Sequence, residues 1–199
     1  MKLASLRTGD RDGALVVVSK DLERAILVPQ IAVTMQKAIE SWATSASQLS
    51  KVYEQLNANQ IEGAFKLDIA KLESPFPRSY QFLDGSVYLH HMEKARKARG
   101  AEMPPNYKTE PLMYQGLSDR FCGPTEAMVF PDATLEPDYE AEVAIVVDDV
   151  PMGVSKSEAG KHIKLVMLLN DYTLRALTKT ELPKGFGFMQ AKPTSSFHR

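Results

Sequence analysis

The chain has 199 residues, 44% of them hydrophobic and 25% charged, with a formal net charge of −1. This composition is typical of a globular domain and argues against disorder, and the near-zero net charge gives no bulk attraction to nucleic acid or an anionic membrane. The single cysteine, Cys122, excludes an internal disulfide and a cysteine-rich zinc site. No apolar signal core opens the chain and no window reaches transmembrane length, so we expect a cytoplasmic protein with neither nucleic-acid nor membrane partners.

The N-terminal part alternates short apolar runs with polar turns. The runs KLASL, ALVVVS and AILVP predict three strands. A helical pattern follows between residues 31 and 57, because apolar side chains recur there at three- and four-residue steps, namely Ile31, Met35, Ile39, Trp42, Ala46, Leu49, Val52, Tyr53 and Leu56. Such a stripe is typical of core packing, so it predicts one long helix packed on the strands.

A proline-containing segment, LESPFPRSY at residues 72 to 80, predicts a linker. We place a domain boundary there, with a small N-terminal β domain and its long helix at residues 1–75 and a second domain at residues 76–199. Further along, HHMEKARKARGAEMPP predicts a short basic helix or an extended arm, in either case with a solvated face. Ser155 and Glu158 have capping-box spacing and predict a helix start shortly before the apolar run LVMLLND.

Two acidic residues, Glu140 and Glu142, stand at the mouth of an apolar run in the stretch DYEAEVAIVVDD. The run from Val143 to Val147 predicts a buried strand. Since residues two apart on a strand share a face, the two carboxylates point the same way, and at about 4 Å they repel by about 4 kcal/mol at an intermediate dielectric. Water, basic side chains, a shared proton or a divalent cation would offset that repulsion.

Two aspartates also close apolar or aromatic segments, Asp84 in YQFLDGS and Asp171 in LVMLLND. Aspartate commonly ends strands because it forms turns, but together with the two glutamates these acids are the oxygen ligands that Mg²⁺ and Ca²⁺ prefer. The adjacent His90 and His91 offer a general base. Lys192 follows the glycine-rich KGFGF, which lacks the third glycine of a dinucleotide fingerprint.

Five segments taken together resemble the fumarylacetoacetate hydrolase family: DYEAEVAIVVDD, LLNDYTLRAL, GFGFMQAKPTSSF, LMYQG and FLDGSVYLHH. The resemblance implies an α+β, strand-dominated fold, in which the N-terminal domain precedes the first part of a mixed β-rich catalytic domain. It implies His91 as the catalytic histidine, Lys192 as a catalytic and substrate-binding lysine, and Tyr114 as a substrate-binding tyrosine. It further implies four metal ligands, Asp84, Glu140, Glu142 and Asp171.

The resemblance also implies a cofactor, an activity and a partner. The cofactor is a divalent cation, Mg²⁺ first, with Ca²⁺ or Mn²⁺ as alternatives. The activity is hydrolytic cleavage of a carbon–carbon bond in a β-diketo acid such as fumarylacetoacetate or an acylpyruvate, as in aromatic amino acid catabolism. The substrate is thus a small 2-oxo or β-diketo acid, and the full-length protein is expected to be a homodimer.

Two departures from the family pattern keep alternatives open. Ser86 stands where fumarylacetoacetases carry a tyrosine, and the catalytic domain of the family continues beyond the segment with which this chain ends. We therefore expect an N-terminal piece of a longer enzyme. The same residues would also suit an isomerase, a decarboxylase or a hydratase acting on a related 2-oxo acid, or a non-catalytic fragment that only binds a cation or a partner.

Overall fold

The N-terminal residues build an antiparallel sheet of four strands in the order β1-β2-β3-β4. The structure, a computed structural model, describes residues 1–98 and 100–198. The strands are β1 Lys2–Leu6, β2 Ala14–Val18, β3 Arg24–Leu27 and β4 Phe65–Lys66. The three strands predicted from the apolar runs are confirmed. The β-branched and aliphatic side chains of β2 are buried on both faces of the sheet, an environment that favours such residues in strands.

The predicted long helix is interrupted and forms two helices, α1 Met35–Glu40 and α2 Trp42–Asn57. The break lies at Ser41, whose backbone leaves the helical region with φ −116° and ψ 28°. The Ser41 hydroxyl donates to the carbonyl of Lys37 at 2.8 Å, a local hydrogen bond that competes with helix continuation. The prediction of one continuous helix was therefore wrong at this residue, although the apolar stripe packs against the sheet as expected.

The proline-containing segment is packed against the protein. Leu72 and Phe76 are buried, and the hydroxyl of Ser5 donates to the carbonyl of Pro75 at 2.7 Å. Phe76 shares one hydrophobic cluster with residues on both sides of it in the sequence, including Phe121. The segment is thus not an extended linker, and the domain boundary drawn within it stays a prediction.

The second half of the chain is built from small sheets and short helices. Strands β5 Leu83–Gly85 and β6 Met113–Gln115 pair with each other, as do β7 Pro137–Asp138 and β10 Thr173–Leu174. A third sheet has the order β11-β9-β8, with β8 Ala141–Val147, β9 Ile163–Asn170 and β11 Ser196–His198. The helices are α3 Leu89–Ala98, α4 Lys156–Ala159 and α5 Arg175–Glu181, and 3-10 turns cover Ile69–Lys71, Ala133–Leu135, Gly160–His162 and Leu182–Lys184.

Only one face of the β8–β9 hairpin packs on the core. Ala144 and Val146 face the hydrophobic cluster, whereas Val143 on the opposite face is 68% exposed. Its neighbour Ile145 lies opposite Val166, and more than half of each side chain is exposed. The prediction of a buried strand was right about the strand and wrong about its burial, because a continuous apolar run does not reveal which faces are covered.

The described residues form a mixed α+β, strand-rich protein with few helices, which confirms the predicted fold class. The predicted basic helix is present as α3, and the capping-box prediction is confirmed by Ser155, whose hydroxyl accepts from the Glu158 amide at 3.3 Å. That helix, α4, spans four residues. Within the described ranges, no helix combines the length and the apolar composition that crossing a membrane requires.

Candidate metal centre

Asp84 and Tyr114 reach the site from paired strands. They lie directly opposite each other in the antiparallel β5–β6 pair. Opposite residues in such a pair project from the same face of the sheet, so the two side chains enter the site together. The Asp84 carboxyl is buried, and its Oδ2 atom has no hydrogen-bond partner among the described residues.

The end of the β8–β9 hairpin brings the other acids to the same place. Glu142 lies opposite Leu169, and Asp171 follows β9 directly. The Asp171 amide donates to the Glu140 carbonyl at 2.9 Å, while the Asn170 side-chain oxygen accepts from the Glu140 amide at 3.3 Å. These contacts, together with the strand pairing, hold Glu140, Glu142 and Asp171 at one end of the sheet.

Three carboxylates form a cluster with the spacing of a cation site. Asp84, Glu142 and Asp171 each offer one oxygen, and these oxygens all lie within 4.8 Å of one another. Oxygen ligands of Mg²⁺ and Ca²⁺ lie about 2.0–2.6 Å from the ion, so two ligands of one ion are at most about 5 Å apart. The unpartnered Oδ2 of Asp84 also needs a positive charge or a donor. The donor set and spacing therefore fit a hard divalent cation.

The electrostatics of this cluster show why it favours a cation. Burial, followed by the neighbouring charge of Asp84, raises the pKa of the Glu142 carboxyl to about 8. Burial, followed by the charge of Asp171, also raises the pKa of Asp84. Without a cation, the cluster reduces its repulsion by keeping a proton near neutral pH.

Glu140 has a different environment, although it is only two residues from Glu142. Its Oε2 accepts from the Lys192 ammonium at 2.8 Å, and its Oε1 lies 2.7 Å from the Arg175 guanidinium. Burial alone would raise the pKa of Glu140, but these two cations outweigh it and hold the pKa below its ordinary value. The Glu140 carboxylate is not among the three clustered acids, and its role as a metal ligand stays a prediction.

Lys192 lies at the centre of the site and is 7% exposed. Its Nζ donates to Asp171 Oδ2 at 2.6 Å, to Glu140 Oε2 at 2.8 Å and to Thr173 Oγ1 at 2.7 Å. Burial lowers the pKa of this ammonium, but the charge of Asp171, followed by that of Glu140, outweighs burial and raises the pKa above its ordinary value. Lys192 is therefore a fixed cation beside the carboxylate cluster.

Two aromatic rings cover the Lys192 ammonium. Its Nζ lies 5.6 Å from the ring centroid of Tyr114 and 5.8 Å from that of Phe188, and the two rings meet edge to face. The Tyr114 hydroxyl donates to Asp171 Oδ2 at 2.6 Å. Burial, followed by the charge of Asp171, raises the pKa of Tyr114, so the phenol stays a neutral donor.

His91 lies at the open edge of the site, on α3. Its Nε2 is 3.9 Å from Glu140 Oε1, and 49% of its side chain is exposed. That distance is longer than a hydrogen bond, so the ring lies near the acids and is accessible to solvent.

Three residues near the acids were missed by the sequence reasoning. Arg175 pairs with Glu140 and Asp138, and its position four residues after Asp171 was the only signal for it. The Ser195 hydroxyl donates to Asp171 Oδ1 at 3.2 Å, and the Thr173 hydroxyl accepts from Lys192. Neither hydroxyl had a sequence signal, because serine and threonine are frequent and serve many structural roles.

The fold and the site define a strand-rich α+β protein with a carboxylate-lined candidate cation site beside a lysine. Residues 1–78 match the family model described as the fumarylacetoacetase N-terminal domain 2, and residues 81–198 match that of the fumarylacetoacetate hydrolase C-terminal domain. The chain belongs to the fumarylacetoacetate hydrolase family. The resemblance drawn from the five sequence segments is thereby confirmed.

Two individual proteins illustrate the relationship. A fumarylacetoacetate hydrolase domain-containing protein 2 homolog from Dictyostelium discoideum is 24% identical over 131 residues, which is 66% of this chain and 40% of the relative. The crystal structure of an HpcE-like protein from Mycobacterium smegmatis superposes with a TM-score of 0.61 at 15% identity, covering 99% of this chain and 64% of that one. The second likeness is one of fold alone. The chain thus spans less than two thirds of the length of either relative.

Proposed function

We propose that the full-length protein is a divalent-cation-dependent hydrolase that cleaves a carbon–carbon bond in a β-diketo acid, such as fumarylacetoacetate or an acylpyruvate. The observation that carries the proposal is the cluster of Asp84, Glu142 and Asp171 beside the Lys192 ammonium. Membership of the family suggests a hydrolase- or isomerase-type activity on oxo acids, and the carbon–carbon hydrolysis is our more specific proposal.

A divalent cation held by the cluster would supply Lewis acidity to a substrate carbonyl oxygen. Mg²⁺ is our first choice and Ca²⁺ or Mn²⁺ the alternatives, since all of them accept carboxylate ligands. We keep Glu140 as a fourth proposed ligand, and binding the cation would require its carboxylate to exchange its ion pairs for the ion. The pairs with Lys192 and Arg175 would then be partly released.

His91 is proposed to take a proton from water at Nε2. The water oxygen forms a bond to the substrate carbonyl carbon, and the bond from that carbon to the neighbouring methylene breaks. The electron pair stays on the methylene carbon, which then takes the proton back from the His91 imidazolium, so that the products are a carboxylic acid and a ketone. Glu140, 3.9 Å from His91 Nε2, stabilises the imidazolium that forms in the first step.

Lys192 and Tyr114 are proposed to bind the substrate and the negative charge that develops on it. The three N–H groups of the Lys192 ammonium all donate to protein acceptors, so the desolvated ammonium acts on the substrate through its fixed charge in a medium of low dielectric. The Tyr114 hydroxyl is a neutral donor at the same place. The guanidinium of Arg175 adds a third group that can donate to a substrate carboxylate.

The assembly and location of the protein remain proposals as well. We propose that residues 1–75 and 76–199 form two domains and that the full-length protein is a cytoplasmic homodimer acting on a small 2-oxo or β-diketo acid. Sedimentation velocity of the full-length protein measures the association state. A monomer at micromolar concentration would contradict the homodimer.

A decarboxylase of the same family is the second candidate. It is favoured by His91, whose Nε2 is 3.9 Å from Glu140 and beyond hydrogen-bond distance, so that no hydrogen bond from this carboxylate orients the ring. Decarboxylation needs a stabilised enolate but no activated water. Replacing His91 by alanine separates the two reactions, because it removes hydrolysis and leaves decarboxylation.

Calorimetric titration of the chain with Mg²⁺, Mn²⁺ and Ca²⁺ tests the cation site first. We expect saturable binding that Glu142→Gln weakens by at least tenfold, since the variant removes one of three charged ligands. Glu158→Gln is the matched control, because Glu158 is an exposed glutamate paired with Lys161. Equal affinities in all three proteins would refute the site. Assays of acylpyruvates and fumarylacetoacetate with the full-length protein then test the reaction.

A further inference from the structure

Glu181 makes an unusual set of contacts for a glutamate outside the carboxylate cluster. It is the last residue of α5 and is 9% exposed. Its carboxylate accepts hydrogen bonds from three successive backbone amides, those of Met189 at 3.1 Å, Gln190 at 2.7 Å and Ala191 at 2.9 Å. Hydrogen bonds to an ionised acceptor are stronger than those between neutral groups. This one side chain therefore holds a whole segment of backbone.

The loop of residues 185–191, whose last three amides Glu181 binds, includes several exposed residues. Gly185 and Gly187 have φ values of 77° and 86°, a region that other residues disfavour, so the chain turns sharply at both. Phe186 between them is 97% exposed, and Met189 is also largely exposed. In this loop Phe188 packs against Tyr114 and Ala191 is buried, and the Glu181 carboxylate adds hydrogen bonds at three consecutive residues.

The held segment leads directly into Lys192. The Ala191 carbonyl accepts from the Leu174 amide at 2.8 Å, so both the N–H and the C=O of the residue before Lys192 are hydrogen-bonded. The Lys192 ammonium meets its three acceptors at 2.6–2.8 Å, and a backbone shift of about 1 Å would break hydrogen bonds of this length. The position of the loop therefore decides whether the ammonium reaches the carboxylates.

We propose that Glu181 is a positioning residue, which sets the Lys192 ammonium against Asp171 and Glu140 by binding the amides of residues 189–191. The catalytic role of Lys192 in this inference rests on the proposed function. The position that Glu181 gives to the Lys192 ammonium does not. Burial raises the pKa of Glu181, while the three amides outweigh burial and lower it, so the carboxylate is ionised at neutral pH.

Glu181→Gln is the informative substitution, because it keeps the size of the side chain. Its single amide oxygen can replace only one of the two carboxylate oxygens, and its NH₂ group would face a backbone N–H. Glu126→Gln is the matched control: the Glu126 carboxylate accepts one backbone amide, that of Gly123, and pairs with Arg120 away from the site.

Two NMR measurements on the cation-free chain test the proposal. Amide hydrogen exchange at Met189, Gln190 and Ala191 should become at least about tenfold faster in Glu181→Gln, as expected for lost charge-assisted hydrogen bonds. The slowly exchanging ammonium signal of Lys192, assigned with Lys192→Met, should disappear. The amides of the β8–β9 hairpin should keep their wild-type rates, and Glu126→Gln should change neither readout. Unchanged exchange at residues 189–191, or a persistent Lys192 signal when those amides have opened, would overturn the proposal.

Glu181→Asp keeps the test decisive if the glutamine variant fails to fold. The shorter side chain retains the charge but loses the reach to all three amides, so we expect the same two changes in a folded protein. Wild-type behaviour of the aspartate variant would overturn the proposal. Because neither readout needs turnover, both changes in the Glu181 variants together with a wild-type full-length protein that cleaves no β-diketo acid would support the positioning role and refute the proposed function.

Discussion

Replacing Glu142 by glutamine in the cation-free chain tests the electrostatic account of the carboxylate cluster. The pKa of Glu142 is raised from 4.5 to about 8 in the folded protein. The folded state therefore binds a proton more tightly than the unfolded state. The resulting stabilisation is fully present below about pH 4.5 and is lost as the pH rises through about 8, so wild-type stability in chelator should fall over this window.

The size of the effect follows from the spacing of the acids. Two carboxylate charges near the 4.8 Å limit of the cluster repel by about 3 kcal/mol at an effective dielectric of 20. Glu142 is only half-buried and Lys192 neutralises part of the field, so we reduce the net loss to about 1–2 kcal/mol. For a chain of this length, that loss corresponds to about 2–8 °C in Tm.

Thermal melts at pH 6 and pH 9, in chelator and with excess Mg²⁺ or Mn²⁺, measure this effect. Wild-type Tm should fall between the two pH values in chelator, and Glu142→Gln should fall less. A cation at a hundredfold excess over its Kd should add about 2.7 kcal/mol to wild-type stability and less to the variant. A wild-type Tm that rises with pH in chelator, or a variant that keeps the full cation effect, would refute the reasoning.

Four other substitutions test three separate parts of the structure. In the full-length enzyme, His91→Ala should reduce hydrolysis about 10²–10⁴-fold while leaving calorimetric cation affinity unchanged, and full turnover would exclude His91 as the base. Lys192→Met leaves Glu140 without one of its buried cations and should destabilise the chain by about 3–5 kcal/mol in urea unfolding, whereas a loss below 1 kcal/mol would mean that the ion pairs are solvated. Met167→Ala on the packed face of β9 should cost about 2–5 kcal/mol, but Ile145→Thr on the open face of β8 should cost less than about 1 kcal/mol, and equal costs would contradict the assignment of the two faces.

The sequence predicted those features that depend on local pattern. Strands β1 to β3, the basic helix α3 and the cap at Ser155 follow from alternation, composition and capping-box spacing, and all are present. The break at Ser41 was missed, because the apolar stripe continues through it and only the serine hydroxyl marks the change. The exposed face of β8 was missed because burial depends on what lies above a strand, which a run of valine and isoleucine does not report.

The candidate site was predictable as a set of residues but not as a geometry. Residues from five separate stretches of the sequence were grouped through the family resemblance, and the structure brings them to one place. The different environments of Glu140 and Glu142 could not be predicted from the sequence. They depend on which acid faces Arg175 and Lys192 and which faces Asp84. Long-range contacts of this kind are set by the β5–β6 and β8–β9 pairings.

The two like charges that open strand β8 are tolerated because each is offset in a different way. Glu140 is matched by Lys192 and Arg175, and Glu142 keeps a proton when no cation is bound. Asp84 and Asp171 add two charges to the buried part of the site. With all four acids ionised, Lys192 and Arg175, which also pairs with Asp138, leave at least two negative charges uncompensated, enough to match one divalent cation. The basic residues thus reduce the repulsion between the carboxylates without removing it. As the pH rises and Glu142 loses its proton, the remaining negative charge favours binding of a divalent cation.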